Sequence, residues 1–152
     1  RHRWVWLNHL RLASPKYTCS NNEIEYANTI LKETKKELKG IDGKIKPIKP
    51  TIPAQGGSTD VGDVSQVVPV VRLGVTTAAK DGPWHSWAVV ACTGMSIGHK
   101  GMIYASKSLA MTMLDLYEKP QLIEGVKKEF IERKGDKTYV PQIPAGPPKL
   151  ID

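Results

Sequence analysis

The sequence predicts an α/β fold in which one central strand is flanked by helices. Residues 67–75 form an apolar, valine-rich run of strand length between turn-forming residues. Helical periodicity precedes this run at residues 20–39 and returns at residues 95–117, where Gly and Ala favour close packing onto a sheet. The sequence supplies only one or two strands for so long a helix, so the prediction leaves part of the sheet unaccounted for.

Two helices are predicted ahead of the central run. Residues 4–12 place Val and Leu among Arg, Asn and His, which favours a short helix with a basic face. The second helix begins at Ser20, with Glu23 at the position of a capping-box partner, and Gly40 is its natural end. Residues 41–53 are rich in Lys, Pro and Ile and predict a surface loop.

Two further helices are predicted after the central run. The pattern of residues 95–117 gives the longest helix, and Pro120 opens another at the position in the first turn that proline favours. Gly135 ends that helix. Residues 141–152 form a proline-rich tail, and no internal repeat divides residues 1–152, which we treat as a single region.

Composition limits the class of protein. A chain of 152 residues provides one domain's worth of sequence, and it contains no apolar run long enough to cross a bilayer. The net charge of +7 is spread over several segments, which is typical of solvated helix faces and loops. Cys19 and Cys92 are far apart and lack metal-type spacing, which favours a reduced, cytoplasmic setting, although the two could pair.

The stretch 56–87 carries the residues that are typical of a site. It opens on a Gly/Ser/Thr/Asp turn, in which successive backbone N–H groups can receive a carboxylate or an oxyanion. It closes on a loop in which His85 stands between Trp84 and Trp87. From the residues alone, His85 is either a packed loop residue or a ligand, and the opening turn is either a plain turn or a functional one.

Four motifs in order resemble one enzyme family. They are Gly56-Gly57-Ser58-Thr59-Asp60-Val61-Gly62-Asp63-Val64-Ser65, then Val68-Pro69, then Pro83-Trp84-His85-Ser86-Trp87, then Gly94-Met95-Ser96-Ile97-Gly98-His99-Lys100-Gly101-Met102. This order resembles the C-terminal part of the aminobenzoyl-glutamate utilization amidohydrolases. These enzymes belong to the dinuclear metallopeptidases that include aminoacylases and glutamate carboxypeptidases. The resemblance runs from about Ser14 to Tyr139, and residues 1–13 match poorly.

The resemblance implies roles for particular residues. His85 matches the family's last metal ligand, in a site that holds two divalent ions, zinc or manganese. The turn residues Gly56, Gly57, Ser58 and Thr59 match the family's glycine-rich turn beside the substrate. Three further residues are expected to support the site or to hold local structure, namely Asp60, Asp63 and His99. No catalytic residue is assigned within this chain, because the family's general base lies elsewhere.

The resemblance also implies a fold and partners. It predicts the C-terminal half of a zinc-exopeptidase-like catalytic domain, with few strands and packed helices, without the N-terminal half or the lid domain. The expected partners are that N-terminal half, on the same or a separate chain, a small-molecule amide substrate, and a second copy in a homo-oligomer. Neither nucleic acid nor a membrane is expected to bind. This chain alone is expected to be inactive.

The first hypothesis is therefore that the chain is part of a cytoplasmic hydrolase, and two other hypotheses compete with it. One is a non-catalytic remnant that assembles with another chain. The other is a basic binding module in which the lysines and tryptophans contact nucleic acid or an acidic protein, and a salt-dependent affinity would support it.

Overall fold

Residues 18–45, 59–141 and 146–147 are described in a computed structural model, and their regular structure is helical. The five helices of these ranges are α1 (Asn21–Glu33), α2 (Val61–Val67), α3 (Trp87–Thr93), α4 (Ser96–Glu118) and α5 (Pro120–Lys134). The helix predicted for residues 4–12 and most of the loop predicted for 41–53 lie outside the described residues. None of the described helices is long and apolar enough to cross a membrane.

The α/β prediction is wrong for the described residues, among which no β-strand forms. Val67 ends α2, and Val68 already has extended dihedral angles of φ −136° and ψ 152°. The following valines are exposed to solvent, Val70 to 41% and Val71 to 48%. A strand requires a neighbour that pairs with its backbone, and no described segment provides one. The strand-like composition therefore gives an extended loop.

Helix α1 begins as predicted. The Ser20 backbone N–H donates to Glu23 Oε2 over 2.7 Å, and the Glu23 N–H donates to Ser20 Oγ over 3.3 Å, which completes the capping box. The predicted end at Gly40 is wrong, because α1 stops at Glu33. The Thr34 hydroxyl donates to the carbonyl oxygen of Ile30 over 2.9 Å, and such a side-chain bond competes with helix continuation.

The core lies where α1, α3 and the start of α4 meet. Its buried apolar residues are Ala27, Ile30, Leu31, Ala79, Ala88, Cys92 and Ile97. The segment that carries Ala79 is held by the Thr76 hydroxyl, which donates to the Asp42 carbonyl over 2.6 Å, and by the Lys80 N–H, which donates to the Gly40 carbonyl over 2.8 Å. Buried residues on both sides thus fix the two ends of the loop that contains His85.

Helices α4 and α5 confirm the predictions made for the second half of the chain. Helix α4 is the longest, with 23 residues, and α5 begins at Pro120. Gly135 follows α5 with φ +56°, a left-handed conformation that glycine adopts without steric cost. The short helix α3 was not predicted, because its sequence is nearly all apolar and shows no helical alternation.

Candidate functional site

The loop 82–86 presents His85 to solvent. It leaves the core after Ala79 and re-enters it at Ala88, so both ends are anchored. Within the loop, the Ser86 hydroxyl donates to the Pro83 carbonyl over 2.6 Å and closes a tight turn. His85 lies inside this turn with φ +56°. The left-handed conformation is uncommon for residues other than glycine, and such outliers concentrate at functional sites.

Two tryptophans lie on the same open surface as His85. Trp84 is 72% exposed and Trp87 56% exposed, and together with His85, Val89 and Val90 they line an open pocket. A neighbouring cavity of ≈ 200 Å³ shares Trp84 and Val89 and extends to Asp42 and residues 75–82. The result is a shallow, open recess of mainly apolar and aromatic side chains that includes one imidazole.

The turn predicted to bind substrate is only partly described. Gly56, Gly57 and Ser58 lie outside the described residues, whereas Thr59 and Asp60 are exposed. The Thr59 hydroxyl donates to Asp60 Oδ1 over 3.3 Å, and Asp60 stands at the N-cap position of α2 without capping it through its side chain. These contacts order the turn, and they leave the Thr59 side chain at the surface.

Asp63 has a partner on a distant segment. Its carboxylate lies near the hydroxyl of Tyr139, a residue on the segment after α5. Partial burial raises the pKa of Tyr139, and the negative charge of Asp63 raises it further. Asp63 on α2 therefore lies beside the segment after α5. Neither cavity beside His85 is lined by Thr59, Asp60 or Asp63, so the described residues do not bring these two parts of the predicted site together.

The structure allows a direct test of whether a metal ion fits. Among the described residues, no three side chains of His, Cys, Asp or Glu are grouped closely enough to hold one. His99 is exposed on α4 and lines neither cavity beside His85. His85 has an accessible imidazole on a tethered loop, and neutral imidazole is a good ligand for zinc. The described residues thus do not form a metal site by themselves, and His85 is the one sequence-predicted ligand among them.

A second polar cluster lies at the N-termini of α1 and α4. The Lys100 ammonium donates to Glu23 Oε2 over 2.7 Å, and the Ser96 hydroxyl donates to Glu23 Oε1 over 2.6 Å. Burial would raise the pKa of Glu23, but these bonds and those from Ser20 outweigh it and lower the pKa to about 2. Lys100 thus joins the N-terminal part of α4 to that of α1.

Sequence reasoning missed the contacts between these helices. It placed Glu23 in a capping box, but the partner from α4 is 77 residues away along the chain. No local pattern marks such a pair. The left-handed conformation of His85 was equally hidden, although Pro83 and Ser86 on either side indicate a turn.

Comparison with known proteins gives two relatives. The chain is 33% identical to a subunit of the p-aminobenzoyl-glutamate hydrolase of Escherichia coli over 101 residues, which is 66% of this chain and 21% of that protein. It is 40% identical to the Xaa-Arg dipeptidase of Mus musculus over 76 residues, which is 49% of this chain and 17% of that protein. The chain thus spans about a fifth of the length of these relatives.

No family model and no solved structure matches the chain. The two relatives nevertheless agree with the family that the four motifs indicated, since one of them belongs to an aminobenzoyl-glutamate hydrolase. The resemblance is confirmed, and the chain has a partial relationship to the amidohydrolases of the aminobenzoyl-glutamate type.

Proposed function

We propose that this chain forms part of a metal-dependent amidohydrolase that cleaves the amide between an aryl or acyl group and an amino acid. An aminobenzoyl-glutamate-like compound is the substrate. Similarity to a p-aminobenzoyl-glutamate hydrolase and to a dipeptidase supports this reaction class, because both names denote hydrolysis of an amide bond to an amino acid.

The observation that carries the proposal is the conformation of His85. Holding a histidine at φ +56° costs free energy, on the order of 1 kcal/mol, compared with an ordinary conformation. The loop accepts this cost and directs the imidazole away from the core, beside two exposed tryptophans. Lys35 and Asp81 adopt the same conformation, with φ 54° and 59°, so the combination with the exposed tryptophans is what distinguishes His85. A metal ligand benefits from such an arrangement, because its nitrogen must be accessible and its position fixed.

Each residue then has a part in substrate binding. His85 holds one of two divalent ions, zinc or manganese, and Trp84 with Trp87 forms the apolar wall against which the aryl group of the substrate stacks. The turn of Gly56, Gly57, Ser58 and Thr59 receives a carboxylate through its N–H and hydroxyl groups, while Asp60, Asp63 and His99 hold neighbouring structure. When bound, the metal pair supplies an activated water and polarises the amide carbonyl.

The site needs donors beyond the described residues. A dinuclear site takes several ligands and a general base, and His85 contributes one ligand. We therefore propose that a further polypeptide segment, the N-terminal half of the catalytic domain on the same or a separate chain, supplies the others. The name of the Escherichia coli relative, which designates one subunit of a hydrolase, agrees with assembly from more than one chain.

Hydrolysis assays test the proposed reaction. The tagged full chain is purified with its stable partners from the organism that encodes it, and the partners are identified by mass spectrometry. With zinc or manganese, the complex is expected to hydrolyse aminobenzoyl-glutamate or N-acyl amino acids at rates typical of enzymes, roughly 1 per second or faster. The chain purified alone is expected to show no such turnover. A complex that leaves every one of these amides intact would contradict the proposal, and so would full activity of the isolated chain.

A further inference from the structure

The cavity next to the candidate site has the size of one arm of a ligand. Its volume is ≈ 200 Å³, and it shares Trp84 and Val89 with the recess that contains His85. Pockets for whole small molecules usually measure roughly 300–1,000 Å³, so this cavity suits a single substituent. A molecule that lies against His85 can therefore extend one substituent past Trp84 into the cavity.

Lys80 brings a positive charge to this cavity. Among the described residues that line the cavity or the recess, it is the one Lys or Arg. Its side chain is 41% exposed, and its ammonium lies 3.9 Å from Asp42 Oδ2. That distance gives an ion pair without a hydrogen bond, because an N–H···O bond requires about 2.7–3.2 Å. Since an ammonium has three donors, Lys80 retains the capacity to donate to a ligand.

The two carboxylates that line the cavity are both held by the protein. Asp81 Oδ2 accepts a hydrogen bond from Lys39 Nζ over 3.0 Å. Asp42 Oδ1 accepts one from the Lys44 N–H over 3.2 Å, and the Asp42 side chain is only 15% exposed. A cationic ligand would have to displace lysines from these two carboxylates. An anionic ligand meets the exposed ammonium of Lys80, so the cavity favours an anion.

The backbone that carries Lys80 is fixed on several sides. The Lys80 N–H donates to the Gly40 carbonyl over 2.8 Å, and the Thr76 hydroxyl donates to the Asp42 carbonyl over 2.6 Å. The preceding residue, Ala79, is buried in the core. Lys80 thus extends an exposed side chain from a tethered segment, and a site held by a fixed segment positions its ligand better than a mobile one.

We infer that Lys80 is a specificity-determining residue, which binds the side-chain carboxylate of an acidic amino acid in the substrate. The inference rests on the proposed function, in which the turn of residues 56–59 receives one carboxylate of the substrate. Thr59 of that turn lines neither the cavity nor the recess, so a second carboxylate needs a partner of its own. With the aryl group against Trp84, the ammonium of Lys80 supplies that partner through a charge-assisted hydrogen bond.

Steady-state kinetics of the complex purified with its partners test this role. Aminobenzoyl-glutamate and aminobenzoyl-glutamine are the paired substrates, because they differ in the charge of the side chain. Lys80→Met should raise KM for the glutamate substrate about 10-fold or more and leave kcat nearly unchanged, since Lys80 contacts a part of the substrate that does not react. KM for the glutamine substrate should stay nearly the same. Lys80→Arg keeps the charge and should retain most of the preference for glutamate.

Lys107→Met is the matched control. It removes an exposed lysine of α4 that lines neither the cavity nor the recess, and it should change neither KM. Unfolding curves show whether each variant is folded, and Lys80→Gln takes the place of Lys80→Met if that variant is not. An unchanged preference for glutamate in the folded Lys80 variant would overturn the inference and leave the proposed function standing. Equal losses in Lys107→Met, or equal losses for both substrates, would also overturn it.

Calorimetry separates binding from hydrolysis. The complex is depleted of metal and titrated with each of the two compounds. It should bind aminobenzoyl-glutamate about 10-fold or more tightly than aminobenzoyl-glutamine, and Lys80→Met should abolish the difference. A complex that hydrolyses none of the amides would contradict the proposed function, and the titration would then decide on Lys80 by itself. Equal affinity for the two compounds in the unchanged complex would overturn the inference.

Discussion

Lys100 Nζ lies 2.7 Å from Glu23 Oε2 and joins the N-terminus of α4 to the N-terminus of α1. The Glu23 side chain is only 8% exposed, whereas the Lys100 side chain is 43% exposed. Glu23 also completes the capping box with Ser20 and accepts a hydrogen bond from Ser96. One carboxylate thus satisfies donors from two helices, and its loss leaves several of them without a partner.

The first prediction is that stability falls in acid because of Glu23. Its pKa is about 2 in the folded chain against an ordinary value of 4.5. The stabilisation by the ionised group is therefore complete above pH 4.5 and is lost as the pH falls toward 2. At pH 7, Glu23→Gln should lower the free energy of unfolding by on the order of 2 kcal/mol, after allowance for solvent screening of Lys100.

Urea denaturation at several pH values measures this effect. Glu23→Gln should also flatten the dependence of stability on pH between 4.5 and 2. Glu25→Gln is the matched control, because Glu25 lies in the same first part of α1 but is exposed. Equal losses for both variants, or an unchanged pH profile for Glu23→Gln, would show that the cluster does not hold the helices together.

Local signals accounted for the parts of the fold that were predicted well. The Ser20–Glu23 capping box, Pro120 at the start of α5 and Gly135 at its end act within a few residues, so the sequence reveals them directly. The strand over residues 67–75 failed because strand formation depends on a neighbour distant in sequence. Val68 shows the outcome: an extended backbone with β-type composition and no pairing among the described residues.

The candidate site shows the same difference between local signals, which the sequence reveals, and contacts between distant residues, which it does not. Its loop was predicted because Pro83, Trp84 and Ser86 surround His85 in sequence, and a turn follows from such residues. The backbone conformation of His85 depends on how Ala79 and Ala88 anchor the loop in the core, which no local pattern specifies. The apolar residues of α4 are evident in the sequence, but which of them stay exposed is not. Periodicity identifies an apolar face but does not say what covers it.

The second prediction concerns Gly101, where α4 approaches the segment before the candidate site. A Cβ atom added there would lie 2.5 Å from the Thr76 carbonyl oxygen and 2.7 Å from Thr77 Cγ2. One of the two is a backbone atom that cannot move away cheaply. Gly101→Ala should therefore destabilise the fold by about 1–3 kcal/mol. Gly74→Ala is the control, because no atom lies within 4 Å of the added Cβ. Thermal unfolding measures the stability of both variants. If Gly101→Ala is as stable as the unchanged chain, α4 and residues 76–77 are not in contact.

The third prediction separates stability from function at His85. Glycine adopts φ +56° without steric cost, so His85→Gly should leave the free energy of unfolding unchanged or raise it by up to about 1 kcal/mol. His85→Ala keeps the steric cost and should be the less stable of the two. Denaturation curves compare them. A clear loss of stability in His85→Gly would mean that the imidazole packs or bonds within the fold, and it would remove the argument that the loop holds it for a ligand.

The last prediction assigns the metal to His85 rather than to His99. His85 has an accessible imidazole beside the aromatic recess, whereas His99 is exposed on α4 and lines neither cavity there. In the complex purified with its partners, His85→Ala removes a ligand and should lower the bound zinc or manganese by a measurable fraction of a site per chain, with collapse of hydrolysis. His99→Ala should keep the metal and cost at most about 10–100-fold in activity, the range for residues that support a site without touching the ion. Metal analysis and kinetics on both variants distinguish the two histidines. Unfolding curves are the control, because a variant that merely disturbs the fold would also be less stable. Full metal content in His85→Ala together with metal loss in His99→Ala would show that the ligand is the histidine on α4, and that the strained loop serves another purpose.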